Sequence, residues 1–185
     1  MSTLATTNIK HASSSSNNIV LTSDGKANIP GHIIQVVQNV KTDQSSTTSS
    51  TFSDTGLSQA ITPTSSSSKI LFTCSVTYGG EDNAYVGFKV LRDSTEIGLP
   101  TTATGNQSNI CFGGAGDPDW LEYMVHGLTW TWLDSPSTTN STTYKVQYAA
   151  LNSNKIIYIN RPQNVENNSH VFYTTSTLTL MEVAA

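Results

Sequence analysis

The feature that most constrains this chain is a repeated alternation of short strand-like segments with polar turns, without a convincing helical period anywhere. Clusters of Gly, Ser, Asn or Pro separate segments that are rich in β-branched and aromatic residues. We predict strands over Ile33–Val40, Thr47–Asp54, Leu57–Thr62, Lys69–Tyr78, Tyr85–Arg92, Thr95–Leu99, Ser108–Phe112, Met124–Leu133, Thr142–Leu151, Lys155–Asn160 and Ser176–Val183. About ten short strands with this punctuation predict an all-β fold, an antiparallel two-sheet sandwich or jelly roll.

Composition supports this fold and excludes several classes of function. The chain has 25 Ser and 27 Thr among 185 residues, and Thr suits the exposed face of a pleated sheet. With only 9 Lys and Arg and a net charge of -4, it has no basic stripe that could bind nucleic acid. No apolar run reaches the roughly 18 residues of a membrane span, and the N-terminus lacks signal-peptide features. We therefore expect a protein that is made in a cytoplasm and does not insert into a membrane.

The first part of the chain differs from the rest in amino-acid composition. Residues 1 to about 31 contain a flexible Ser- and Asn-rich run, Ser13–Asn18, and then a short possible hairpin that ends at Pro30 and Gly31. We predict that residues 1–31 form an N-terminal arm and that residues 32–185 form one head domain. The apolar residues of this arm have few local partners and are our predicted attachment residues: Ile19, Val20, Leu21 and Ile29.

Two strand segments have an informative alternation. Leu128, Trp130 and Trp132 share one face of their strand, and we expect that face to be buried. Tyr144, Val146 and Tyr148 form a similar stripe, which could face either the core or a neighbouring subunit.

The sequence contains no pattern of catalytic or metal-binding residues, so we assign no catalytic, cofactor or metal site and expect no enzyme activity. Serine is too abundant for one nucleophile to be nominated, and Gly113–Gly116 lacks the Lys-Ser or Lys-Thr of a phosphate-binding loop and is predicted to be a plain loop. Carboxylate pairs for sugar cleavage come together only in a fold and stay open. The histidines are scattered: His11, His32, His126 and His170. Two acidic loops are predicted to be solvated turns: Asp117–Glu122 and Glu81–Asn83.

The chain has two cysteines, Cys74 and Cys111, both in strand-like apolar surroundings. We predict two core thiols, because free Cys packs as a small hydrophobe and disulfides are rare in reducing compartments. A disulfide between neighbouring strands is the alternative.

Several segments together carry a family resemblance: His32–Gln38, Ile61–Leu71, Leu133–Thr139, Thr142–Val146, Ile156–Arg161 and Ser176–Val183. With them the chain resembles, over residues 32–183, small jelly-roll structural proteins of bacterial viruses, especially those of aquatic bacteria. These jelly rolls look like the globular heads of complement and tumour necrosis factor. The resemblance implies two antiparallel sheets of about ten strands and a homotrimer. It implies no catalytic residues.

Such domains occur as capsid decoration or cement proteins, as head fibres and as tips of tail fibres. Only about 30 residues precede the head, which leaves little room for a shaft and favours a capsid decoration protein. The implied partners are other copies of the chain and the major capsid protein or another virion protein, and the implied location is the virion. Tyr144, Val146 and Tyr148 are our predicted trimer-interface residues. The alternative is a fibre tip that binds a host receptor or surface glycan, and a glycan depolymerase is a distant third.

Overall fold

The computed structural model describes residues 6–15, 19–21, 27–116, 122–152 and 154–185. In these ranges the chain forms strands and turns, and it has no helix long and apolar enough to span a membrane. The strands are β1 (Asn8–Ile9), β2 (Ile19–Leu21), β3 (Ala27–Asn28), β4 (Ile33–Lys41), β5 (Ser45–Thr47), β6 (Ser53–Ile61), β7 (Lys69–Gly80), β8 (Tyr85–Arg92), β9 (Thr95–Ile97), β10 (Phe112–Ala115), β11 (His126–Asp134), β12 (Thr142–Ala150), β13 (Ile157–Ile159) and β14 (Ser176–Val183).

The first sheet of the sandwich has the strand order β4, β14, β7, β13, β5, with β11 on the other edge of β7. The strands β14 and β13 lie end to end along one edge of β7, because β14 pairs with residues 69–75 and β13 with residues 78–80. Likewise, β4 pairs with β14 and β5 pairs with β13. The sheet is therefore four strand positions wide.

The second sheet has the order β10, β8, β12, β6, with β9 also on β8. Here β9 and β10 share one edge of β8, since β9 pairs with residues 90–92 and β10 with residues 85–88. The second sheet is thus also four positions wide, and all pairings in both sheets are antiparallel. This arrangement confirms the predicted antiparallel two-sheet sandwich.

The core lies between the two sheets and follows the two-residue period of the strands. Along β7, the even-numbered residues from Ile70 to Tyr78 are at most 3% exposed, whereas the odd-numbered residues face away from the core. Leu178 and Leu180 of β14 continue this inner face, and Val86 and Phe88 of β8 oppose it from the second sheet.

Most predicted strands are present, but the predicted strands Thr47–Asp54 and Ser108–Phe112 are wrong. Tyr85–Arg92 and Ser176–Val183 match the structure at both ends. The predicted strand Thr47–Asp54 is wrong, because residues 48–52 connect β5 to β6. This stretch is so rich in Ser and Thr that it has no apolar period to place a strand.

The strand predicted at Ser108–Phe112 starts only at Phe112. The prediction of a loop at Gly113–Gly116 is wrong as well, because Gly113, Gly114 and Ala115 belong to β10. Glycine is needed here for close packing: a Cβ on Gly114 would collide with the Tyr78 hydroxyl. That hydroxyl donates a 2.9 Å hydrogen bond to the Ala115 carbonyl oxygen. The glycines permit a strand with an aromatic ring against its backbone.

The tryptophan face of β11 is only partly buried. Trp130 packs edge-on against Phe72 with ring centroids 5.6 Å apart, and Leu128 also lies against the core. Trp132 stacks on Trp130 at 5.8 Å but is 41% exposed, because β11 is the edge strand of its sheet. The expectation of burial is therefore correct for Leu128 and Trp130 and wrong for Trp132.

Asn160 is the centre of a buried polar network at the end of β13. Its side-chain Nδ2 donates to the carbonyl oxygens of Lys41 and Asp43, both at 2.9 Å. Its Oδ1 accepts from the Thr77 hydroxyl at 3.0 Å and the Ser176 hydroxyl at 2.6 Å. The residue is fully buried and has a φ of 63°, in the left-handed region that Asn tolerates better than most residues. The network ties β4, β7, β13 and β14 together.

A second buried polar group is the carboxylate of Glu182 in β14. It accepts hydrogen bonds from Gln35 Nε2 at 2.6 Å and from the backbone amide and hydroxyl of Thr64, both at 2.7 Å. Burial alone would raise the pKa of Glu182, but the hydrogen bonds from Gln35 and Thr64 outweigh it and hold the pKa below its ordinary value. The carboxylate is therefore ionised and fastens the β6–β7 connection to the first sheet.

The N-terminal segment forms a small three-stranded sheet with β2 in the middle. The predicted hairpin is present, because Val20 pairs with Asn28 and Leu21 with Ala27. The predicted turn residues 23–26 lie outside the described residues. After β3 the chain joins the sandwich beside its other end: the Gly31 amide donates to the Ala184 carbonyl oxygen, and the Ala184 amide donates to the His32 carbonyl oxygen, both at 2.8 Å.

Candidate interaction surfaces

The predicted trimer-interface residues lie in the core of the single chain. Tyr144 and Val146 are 0% exposed and Tyr148 is 3% exposed, all between the two sheets. A side chain with no exposed surface cannot contact another subunit, so this interface prediction is wrong. The alternative that the sequence left open, a stripe facing the core, is the arrangement that the structure has.

Tyr144 also takes part in a link between the two sheets. Its hydroxyl donates to Asp134 Oδ2 at 2.7 Å, and Arg92 Nη1 donates to the same oxygen at 2.8 Å. Burial, helped by the nearby Asp134 carboxylate, raises the pKa of Tyr144, so the phenol stays protonated. Because Asp134 is in the first sheet and its partners are in the second, the cluster has a structural role.

The two outer faces of the sandwich differ in charge. The outer face of the second sheet carries ion pairs: Lys145 Nζ lies 3.1 Å from Asp54 Oδ2, and Lys89 Nζ lies 2.7 Å from Glu96 Oε1. Gln147 donates a further 2.7 Å hydrogen bond to Asp54. Such partly exposed pairs are typical of a surface that faces water.

The outer face of the first sheet instead carries a row of apolar side chains across its full width. Met181 of β14 is paired with Val36 of β4 on one side and with Leu71 of β7 on the other, and Leu71 is paired with Leu133 of β11. Val36 is 55% exposed and Leu133 is 48% exposed, while Met181 and Leu71 are half-buried. We call these four residues the apolar row.

The neighbouring rows of this face are also nearly free of charge. One side of the apolar row has Ile33 and Val183, paired with each other, and Lys69. On the other side of the apolar row lie two further rows of uncharged residues. The nearer row consists of Gln38, Thr179, Thr73 and Thr131, and the next row consists of Val40, Thr177, Ser75 and Thr129. Lys69 is the one charged side chain among these strand residues, and none of them is acidic. Beyond Thr177 the same sheet is covered by its own chain, because Arg161 packs over the Tyr158 ring at 3.8 Å.

The predicted attachment residues of the arm are partly accessible. Ile19, Val20 and Ile29 are half-buried, and Leu21 is 39% exposed. Both edges of β2 are occupied by β1 and β3, so this strand cannot itself add to another sheet. The role of these four residues in attachment stays a prediction.

A cluster of exposed aromatic and amide side chains lies at the end of the sandwich where β14 begins. Tyr123 contacts the His170 ring edge-on at 4.5 Å, and its hydroxyl donates to Glu166 at 3.2 Å. Asn164 Nδ2 donates to Glu122 Oε1 at 2.9 Å, which holds the chain before β11 against the loop between β13 and β14. Three apolar side chains in these two segments are about half exposed: Met124, Phe172 and Tyr173. We call this group of residues the aromatic end.

The described residues contain no group of three or more His, Cys, Asp or Glu side chains that could hold a metal ion. Glu81 accepts a 2.9 Å hydrogen bond from the Ile156 amide, and the predicted acidic loop residues 117–121 lie outside the described residues. The structure has both cysteines as free thiols, Cys74 buried and Cys111 half-buried. The prediction of a core thiol is confirmed for Cys74, whereas Cys111 is only half-buried.

The apolar row was missed at the sequence level, although a signal for it exists. Strands β4, β7 and β14 have apolar residues on both faces at the same height, as in the neighbours Val36 and Val37, Leu71 and Phe72, and Leu180 and Met181. A strand that covers a core on one face only should have polar residues on the other.

Comparison with known proteins finds similarity only among solved structures. No family model matches the sequence, and no curated protein matches it. Among solved structures, the chain is similar to the structure of infectious bursal disease virus Gx strain, with a TM-score of 0.42 and 10% identity, over 82% of this chain and 37% of that chain. The chain thus spans well under half of that structure's length. A likeness at this level carries no argument about function.

Proposed function

We propose that this protein is a structural component of a bacteriophage virion, a homotrimeric capsid decoration or cement protein that is attached by its N-terminal arm. The proposal rests on the resemblance of residues 32–183 to viral jelly rolls, and the two-sheet fold agrees with it. The observation that carries it furthest is the outer face of the first sheet, which has an exposed apolar row and, among the strand residues named above, Lys69 as its one charged side chain. A sheet face with an exposed apolar row is what a subunit of an assembly needs, because contact with other subunits removes that row from water.

The arm is the proposed attachment element. It joins the sandwich through the Gly31 and His32 bonds to Ala184, and it has accessible apolar side chains at Ile9 and Leu21. Three arms on one trimer would bind neighbouring capsid sites together, and the effective concentration of the second and third arms would raise the avidity roughly 100-fold or more.

Deleting residues 2–29 tests the attachment and keeps the Gly31 bond to Ala184. We expect a folded protein of unchanged oligomeric state that no longer sediments with purified capsids of its virus. A matched control replaces Ser13, Ser14 and Ser15 by Gly, which keeps the length of the arm, and should bind like the wild type. Full capsid binding by the deletion variant would contradict attachment through the arm.

The second candidate function is a fibre head that binds a host receptor or surface glycan, and the aromatic end favours it. On binding loops, Tyr side chains supply large and rigid contact area, and Asn and Ser side chains supply adaptable hydrogen bonds. The aromatic end also lies at the opposite end of β14 from the point where the arm leaves, and so would point away from the particle. Loss of host-cell binding in a Phe172→Ser and Tyr173→Ser variant, with capsid binding retained, would support this function.

Absence of enzyme activity is part of the proposal. Asp134 and Glu182 are two buried carboxylates that accept hydrogen bonds from neighbouring donors, Asp134 at Oδ2 and Glu182 at both oxygens, which suits structural roles. Depolymerisation of host polysaccharide by the purified protein would overturn this part.

A further inference from the structure

We infer that the aromatic end binds a saccharide that bears ammonium groups, with the positive charge held among its aromatic rings and the carboxylates of Glu122 and Glu166. The inference rests on the second candidate function, recognition of a host surface, and it names the chemistry of the ligand. Each chain carries the whole aromatic end, so this binding needs no contact between subunits.

The aromatic end has the exposed rings that an ammonium group favours. Phe172 is 50% exposed and Tyr173 is 56% exposed, side by side in the connection between β13 and β14. Tyr123 and His170 meet edge to face, with ring centroids 4.5 Å apart and an interplanar angle of 89°. The face of an aromatic ring attracts a cation within roughly 6 Å, and proteins recognise quaternary ammonium groups in this way. Exposed rings on two adjoining segments therefore suit a cationic ligand.

Two carboxylates lie beside these rings and are joined to them by hydrogen bonds. The Tyr123 hydroxyl donates to Glu166 Oε2 at 3.2 Å. Asn164 Nδ2 donates to Glu122 Oε1 at 2.9 Å and to the same Tyr123 hydroxyl at 3.3 Å. Partial burial raises the pKa of Tyr123, and the Glu166 and Glu122 carboxylates raise it further, so the phenol is neutral. Two negative charges are thus held next to an uncharged ring.

Neither carboxylate is neutralised by a cation within the described ranges. The ion pairs in these ranges lie elsewhere in the sandwich and do not include Glu122 or Glu166. Arg161 is the basic residue closest to Glu166 in sequence, and its guanidinium packs over the Tyr158 ring at 3.8 Å. Its Nη1 also donates to two backbone carbonyl oxygens that follow it, at 3.0 Å and 3.2 Å. A cationic ligand would supply the partner that the two carboxylates lack.

The charge of the whole end favours the same kind of ligand. Four connections join strands at this end, residues 81–84, 116–125, 151–156 and 160–175. By sequence they carry six of the 13 Asp and Glu and two of the 9 Lys and Arg, so the net charge of -4 belongs to them and the rest of the chain is balanced. A surface of one sign attracts ligands of the other sign and speeds their association.

The polar side chains around the rings suit hydroxyl groups, and this identifies a saccharide as the carrier of the charge. Asn167, Asn168 and Ser169 are exposed between Glu166 and His170. Amide and hydroxyl side chains both donate and accept hydrogen bonds, as sugar hydroxyls do, whereas the ammonium group of a lysine only donates. A neutral saccharide would cover the carboxylates without offsetting the hydration that they lose. The saccharide therefore needs its ammonium groups.

The test compares two tetramers of glucosamine that differ in charge. One carries N-trimethyl groups, which are permanently cationic, and the other carries N-acetyl groups, which are close to them in size and neutral. Isothermal titration calorimetry with the full chain at pH 7 should show binding of the N-trimethyl tetramer and at least roughly 10-fold weaker binding of the N-acetyl tetramer. Added salt should weaken only the binding of the N-trimethyl tetramer, because it screens exposed charges.

The double variant Glu122→Gln and Glu166→Gln removes both charges and keeps the size and one acceptor oxygen of each side chain, so the loops should stay folded. We expect its binding of the N-trimethyl tetramer to be weaker by roughly 10-fold. The matched control is the double variant Asp54→Asn and Glu96→Gln, which removes the same charge from the outer face of the second sheet and should bind like the wild type.

The outcomes separate this inference from the function on which it rests. Equal binding of the two tetramers, no binding of either, or undiminished binding by the Glu122→Gln and Glu166→Gln variant overturns the inference. Equal or tighter binding of a tetralysine peptide overturns the assignment of a saccharide. Host-cell binding that depends on Phe172 and Tyr173 but not on the two glutamates also overturns the inference and leaves the fibre head standing. Binding of the N-trimethyl tetramer without host-cell binding supports the inference and counts against the fibre head.

A second measurement needs only the wild type and covers the case in which the double variant fails to fold. Saturation-transfer NMR shows which protons of the N-trimethyl tetramer lie against the protein. We expect the N-methyl protons to receive the most saturation and to shift upfield, because they lie over aromatic faces. Stronger saturation of the sugar-ring protons, with no shift of the N-methyl protons, would overturn the inference.

Discussion

Replacing Asn160 should separate the energy of its buried hydrogen bonds from the strain of its backbone. In Asn160→Gly the left-handed φ of 63° is kept and the side chain is lost. The Thr77 hydroxyl retains a partner, because it lies 2.7 Å from the Thr174 hydroxyl, and the Ser176 hydroxyl still accepts from the Thr77 amide at 3.0 Å. The carbonyl oxygens of Lys41 and Asp43 lose their side-chain donor.

The expected cost follows from these partners. Two lost hydrogen bonds to carbonyls, at about 1 kcal/mol each and more where the group stays buried, give roughly 2–4 kcal/mol for Asn160→Gly. Asn160→Ala loses the same bonds and also forces a Cβ into the left-handed region, which costs roughly 1 kcal/mol more. The alanine variant should therefore be the less stable of the two, although alanine normally stabilises a chain relative to glycine.

Urea unfolding followed by tryptophan fluorescence, at one protein concentration, measures these differences. Asn83 is the matched control, because it has a φ of 58° but is exposed, and its side-chain bond is to Asp82 next to it. Asn83→Gly should change the stability by less than about 0.5 kcal/mol, and Asn83→Ala should show the same cost of about 1 kcal/mol relative to glycine. A stability of Asn160→Gly within about 0.5 kcal/mol of the wild type would refute the network argument. An alanine variant as stable as the glycine variant would refute the strain argument.

Three further outcomes are expected. Because the folded pKa of Glu182 is below its ordinary value of 4.5, its stabilisation is complete above that pH and is lost as the pH falls through the folded pKa. Glu182→Gln should thus cost about 2 kcal/mol at pH 7, and the difference from the wild type should narrow in urea titrations toward pH 3. Gly98→Ala should destabilise the sandwich by about 2 kcal/mol and shift the tryptophan emission. The reason is that the Cβ of the alanine would lie 2.5 Å from the Trp130 ring and that residue 98 has a φ of 65°. An unchanged melting temperature would contradict this. Burial raises the pKa of Cys74 to about 12, so a thiol reagent at pH 8 should modify only Cys111 in the folded protein and both cysteines in urea, and a reactive Cys74 before unfolding would contradict its placement in the core.

The strands could be predicted where apolar alternation is bounded by turn residues, as in Tyr85–Arg92 and Ser176–Val183. The strand Phe112–Ala115 could not, because glycine indicates a turn unless the ring that it accommodates, here Tyr78, is known. The alternation in Tyr144, Val146 and Tyr148 correctly predicted one apolar face, but a core and a subunit interface require the same pattern in one strand. Only the register of neighbouring strands brings Val36, Met181, Leu71 and Leu133 into one row, and that register depends on long-range pairing.

The pair of hydrogen bonds that joins Gly31 and His32 to Ala184 has a practical consequence for fusing peptides to this protein. A peptide fused after Ala185 would start beside the root of the arm and would compete for space with this proposed attachment element. An insertion between Asn167 and Asn168, both exposed in the loop between β13 and β14, would lie roughly 25 Å away at the other end of β14. An insertion in this loop would therefore leave the proposed attachment arm unobstructed.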